Sequence, residues 1–93
     1  SSFVRWAFAQ VGKDVGGLNT TTDTLKNQGK AIATKDIQPG DLVFFNTYKD
    51  DGHVGIYVGD GKFIGAQSSS GVAIADMSSG YWKDKFNGRI KRI

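Results

Sequence analysis

Cysteine is missing from this chain, and proline, histidine and methionine occur once each. Without cysteine no disulfide can staple the fold, a composition compatible with either side of a membrane. One histidine and no thiol leave only scattered carboxylates as metal ligands, so nothing calls for a metal or another cofactor. No apolar run approaches the length of a membrane span, so no transmembrane segment is expected, and no signal peptide is visible. The chain opens Ser1-Ser2-Phe3 without an initiator methionine. It therefore reads as a processed chain, an excised domain or a fragment, and the missing export signal says nothing about compartment.

Present instead are 13 glycines, six Phe, three Tyr and two Trp in 93 residues. That length makes one small domain, which buries only roughly 60–65% of the surface its unfolded chain exposes. The aromatic residues supply the apolar area for a core, and the glycines suit short strands with tight turns. The net charge is +3, and Lys83, Lys85, Arg89, Lys91 and Arg92 crowd the C-terminal end. These residues read either as a solvated strand face or as an attraction to a polyanion such as an anionic cell wall. No base-stacking aromatic pattern accompanies them, which argues against nucleic acid as a partner.

Apolar spacing predicts a helix over 2–11, with Phe3, Val4, Ala7, Phe8 and Val11 on one stripe, a serine cap and Gly12 as the stop. Thr21 or Thr22 should cap a short second helix around 23–27, ended by Gly29. Strands follow at 42–46, 53–59, 62–67, 71–75 and 88–93, with a helical turn at 78–82. Helices first and antiparallel strands after indicate an α+β domain, about five strands curled around the first helix. Val43, Phe45, Ile56 and Val58 are the expected partners of that helix.

His53 opens the hairpin His-Val-Gly-Ile-Tyr-Val-Gly-Asp-Gly-Lys-Phe-Ile. A two-residue turn at Asp60-Gly61 would set Ser68 opposite His53. A three-residue loop Gly59-Asp60-Gly61 would set Gln67 there and Gly65 opposite Gly55, leaving a bare face with room for a ligand backbone. An imidazole held by an amide or hydroxyl partner is the base-plus-orienter half of a nucleophilic hydrolase. A histidine at a strand start can also be a surface residue that touches nothing.

Four motifs in order, Ser-Ser-Phe-Val-Arg-Trp-Ala-Phe, Pro-Gly-Asp-Leu-Val-Phe-Phe, the His53 hairpin and Tyr-Trp…Phe-Asn-Gly-Arg, resemble the NlpC/P60 cell-wall peptidases over nearly the whole chain. The resemblance implies a papain-like α+β fold for a single domain over 1–93 whose N-terminal part is missing. It implies an exported bacterial cysteine endopeptidase, extracellular or bound to the cell wall. Its partner would be the peptidoglycan stem peptide, cut between D-glutamate and the following diamino acid, and a monomer is expected. In that family the nucleophile is the cysteine of Asp-Cys-Ser-(Gly/Ser)-Phe. Ser1-Ser2-Phe3 matches the part after it, so the chain begins one residue too late and is expected to be inactive as written. His53 matches the general base, and Ser1 a contact to the substrate amine.

One departure concerns orientation. The family's third polar residue falls on Gly65, which has no side chain to orient an imidazole. Gln67, a water or a backbone carbonyl could replace it, and Gln67 is favoured because the second register places it opposite His53. The same loss leaves open a non-catalytic relative that binds cell-wall peptides in the same groove. A remaining reading makes Ser1 an N-terminal nucleophile with its own amine as base.

Overall fold

The computed structural model describes residues 2–10, 12, 21–67 and 71–93, with the side chains of Ser2 and Gln67 outside that description. Helix α1 runs Ser2–Ala9. It stops short of the predicted end, and Gly12 closes the turn with φ 78° and a bond from its amide to the Ala9 carbonyl, 3.1 Å. Val11, the last residue of the predicted stripe, lies outside the described residues. Helix α2 is Thr22–Leu25, and Thr21 and Thr24 form a reciprocal capping box at its start.

Among the described residues six strands follow: β1 Lys30–Ala31, β2 Leu42–Phe45, β3 His53–Gly59, β4 Lys62–Gln67, β5 Gly71–Asp76 and β6 Phe86–Arg92. A third helix, α3, spans Gly80–Lys85 where a single helical turn was expected. The strands form one antiparallel sheet in the order β1-β6-β2-β3-β4-β5. The sixth strand, unforeseen, is β1. It is only two residues long and is held against the end of β6 through Lys30↔Arg92 and Ala31↔Lys91.

All four residues of β2 are buried, so strand parity decides which cluster each joins. Leu42 and Phe44 face α1 and pack in a cluster with Val4, Leu25 and Val54. Val43 and Phe45 face the other way and pack with Phe63, Met77 and Ile90. The expected contact of α1 with Val43 and Phe45 is therefore corrected, and Val58 is 41% exposed rather than covered by the helix. A run of four apolar residues has no alternation from which the faces could have been read.

The basic C-terminal end is only partly a solvated face. Arg92 reaches the buried Asp41 with Nε at 2.8 Å and a second nitrogen at 2.9 Å. Arg89 reaches the buried Asp51 at 2.9 Å. Both pairs fasten β6 to loops on either side of β2.

Candidate active site

The β3–β4 hairpin combines the two connections that its sequence permits. Asp60 and Gly61 both have positive φ, 54° and 73°, and Gly59 pairs with Lys62 across a two-residue turn. A bulge next to Val58 then shifts the ladder by one residue, giving Tyr57↔Phe63 and Ile56↔Ile64. Continued along the strands, this register sets Gly65 across from Gly55 and Gln67 across from His53. His53, Gly55, Phe63 and Gly65 therefore share the face that carries Phe45.

That face is not bare. A methyl group at Gly55 would collide with the Phe63 ring, which lies over it. Aromatic side chains surround His53: Phe45 with ring centroids 6.0 Å apart, Phe63 at 6.2 Å and edge-on, and Trp82 at 5.0 Å with planes 30° apart. Burial among them pushes the imidazole below its ordinary value of 6.5, so the neutral, proton-accepting form prevails at neutral pH. Its Nε2 is buried and has no hydrogen-bond partner among the described residues. A Cβ at Gly65 would stand 3.3 Å from that nitrogen, so position 65 is where a side chain would meet the ring edge. Gln67 ends β4 paired with Gly71, and its side chain lies outside the described residues. Ser1 lies outside them as well.

His53 opens onto a groove of about 710 Å³ whose walls include Thr47, Tyr48, Ala73, Tyr81 and Trp82. Tyr48 and Tyr81 are 81% and 58% exposed, so the groove presents aromatic surface to solvent. On the other side of the sheet, Ala7 and Phe8 of α1 line a small pocket with Ile56 and Gly40. Val4 shares a core cluster with Val54, the neighbour of His53. The helix thus runs along β3 with its N-terminal turn toward the His53 end.

Trp82, Phe45 and Phe63 were not foreseen as neighbours of His53. The Tyr-Trp pair was visible only as a motif, and no linear spacing ties residue 82 to residue 53.

The profile of the NlpC/P60 family matches residues 1–91. This chain belongs to the NlpC/P60 family. Peptidoglycan DL-endopeptidase CwlO of Bacillus licheniformis is 50% identical over 93 residues, covering 100% of this chain and 20% of that protein. Murein DD-endopeptidase MepS/Murein LD-carboxypeptidase of Escherichia coli is 37% identical over 89 residues, covering 94% of this chain and 45% of that protein. The chain thus spans less than half the length of either relative. The crystal structure of an NlpC/P60 family protein from Bacillus cereus superposes with a TM-score of 0.83 at 21% identity, over 97% of this chain and 30% of that one, a likeness of fold. The NlpC/P60 fold is thus the α+β arrangement described above: a helix on one face of an open antiparallel sheet, with His53 on the other.

Proposed function

We propose that this chain forms the greater part of the peptidase domain of a peptidoglycan endopeptidase in which His53 is the general base for a cysteine nucleophile preceding Ser1. The observation that carries the reading is a single half-buried imidazole, neutral at neutral pH, on a groove at the start of β3, the same end of the strand at which the first turn of α1 packs through Val4 and Val54 on the opposite face. Free amides and the dipole at a helix start favour thiolate and can receive an oxyanion. In the proposed reaction the thiol proton passes to His53, and the thiolate attacks the D-glutamyl carbonyl carbon. The tetrahedral intermediate collapses to a thioester as the imidazolium gives its proton to the departing amine. Water then loses a proton to His53, attacks the thioester and releases the acid.

The D-glutamyl–diamino acid bond is the one that the family resemblance implies, and the DL-endopeptidase name of the relative at 50% identity supports it. Cell-wall association outside the membrane follows from that substrate, and the net charge of +3 suits an anionic wall. Without a thiol, the 93 residues alone are inactive in this reading.

The test is digestion of purified peptidoglycan by the native protein that carries this sequence, with the fragments read by mass spectrometry. New D-glutamyl termini, absent with His53→Ala and after thiol alkylation, are the expected result. N-terminal sequencing that places a residue other than cysteine before Ser1 overturns the assignment. One observation favours a second reading, a peptide-binding relative without catalysis: Nε2 has no partner among the described residues. Muropeptide binding without cleavage by the unalkylated native protein would select it.

A further inference from the structure

The rings around His53 hold it in different ways. Phe63 meets the imidazole edge-on at 69° and Phe45 is tilted at 47°, so both fill space beside it. Trp82 alone is stacked, at 30°. The indole is itself fixed from two sides by edge contacts with Phe45 at 5.1 Å and Phe63 at 5.2 Å. It sits on α3, whose last turn leads directly into β6.

An imidazole has two torsions to restrain. A hydrogen bond to one ring nitrogen restrains it in the ring plane, whereas a stacked ring restrains its tilt. At Gly65, the position facing Nε2, no side chain is available for the first kind of restraint. The second kind is present. We infer that Trp82 is the positioning residue of His53, holding by its face a ring that position 65 does not hold by its edge. A flat aromatic surface also favours the imidazolium formed in the reaction, since a cation within about 6 Å of an indole face is attracted to it. The inference rests on the reading of His53 as general base, and its test separates the two.

His53 is the sole histidine, so its ring resonances in the 93-residue chain can be assigned without ambiguity. The stacked indole should displace the imidazole C–H protons upfield. Trp82→Phe should keep part of that displacement, and Trp82→Leu should lose it. In hydrolysis by the native protein, Trp82→Leu should lower kcat about tenfold, the upper range for an aromatic pair, with KM little changed. Trp82→Phe should retain most of kcat. Gly65→Asn, which puts a polar side chain beside Nε2, should restore part of it in the Trp82→Leu background. Backbone φ at 65 is outside the left-handed region, but an added Cβ would stand 3.3 Å from Nε2 and 3.4 Å from the Phe63 ring, so the imidazole must give by a few tenths of an ångström to admit it. Unchanged imidazole resonances in Trp82→Leu overturn the inference, as does a raised KM with unchanged kcat, which would make Trp82 only a groove wall. Absence of hydrolysis by the unsubstituted protein overturns the general-base reading, and the resonance comparison then decides the stacking alone.

Discussion

The ring of Phe63 lies over Gly55 and meets His53 edge-on, with centroids 6.2 Å apart. The glycine in His-Val-Gly-Ile-Tyr thus makes room for an aromatic ring of its own hairpin, and that ring supports the imidazole. Phe63 is fully buried and also packs on Phe45 at 4.6 Å. The catalytic candidate therefore stands on the core of the sheet, so packing changes beneath it should be felt at the site.

Gly55→Ala tests that dependence. The added methyl group displaces Phe63, and overpacking of this kind costs about 1–3 kcal/mol. The expected outcome is a lower urea midpoint together with moved His53 resonances. A variant of unchanged stability, with His53 unmoved, would show that the space over Gly55 is spare.

The pH response of His53 has a definite sign. Burial holds its folded value below the ordinary 6.5, so in the window beneath 6.5 the unfolded chain binds a proton that the folded chain does not. Stability from the neutral imidazole is complete above 6.5 and declines as pH falls through that window. An NMR titration of the lone histidine should give a midpoint below 6.5. Urea midpoints should fall on mild acidification, and His53→Phe should remove this component of the fall.

The hairpin was legible because Asp60-Gly61 interrupts two apolar runs, a local signal that places the turn. Its exact ladder was not, since a bulge near Val58 joins two registers that each looked self-consistent. The faces of β2 were hidden by its uniform apolarity, and β1 by its two-residue length, because it exists only through pairing with distant β6. Within the site, His53 stood out as the lone histidine in a strand. Trp82 did not, since stacking across 29 positions of sequence leaves no trace in local spacing. The long-range ion pairs Arg92–Asp41 and Arg89–Asp51 were hidden for the same reason.

Arg92 and Asp41 lend themselves to a double-mutant test. Asp41 is 2% exposed and accepts from Arg92 twice and from the Gln38 amide at 2.9 Å. Burial pushes its carboxyl up, but these bonds outweigh it and hold Asp41 below the usual carboxylate range. Arg92→Leu leaves a buried charge without its cation. The variant should be destabilised, though by less than for a pair buried on both sides, because the arginine side is 37% exposed and solvent can partly replace it. Chemical denaturation should show this loss, and adding Asp41→Leu should recover part of it. A single variant as stable as the parent would mean that the pair contributes little.

Asn87 ties the loop before His53 to β6. Its side-chain amide donates to Asp51 at 2.7 Å and to the Asn46 side-chain carbonyl at 2.8 Å. That carbonyl also accepts the Asp51 amide at 2.9 Å, which helps hold Asp51 at its positive φ of 55°. Asp51 is only 5% exposed, so Asn87→Ala leaves buried acceptors short of a donor at a cost of about 1–3 kcal/mol. The loss should be local. Amide exchange should quicken from Thr47 to Val54, while protection at the β4–β5 pairs Phe63↔Ala75 and Gly65↔Ala73 holds. Because Thr47, Tyr48 and Gly52 wall the groove, a loosened loop should also blunt the stacked environment of His53. Exchange quickened equally over the whole sheet would instead make Asn87 a general contributor to stability, with no particular hold on the loop.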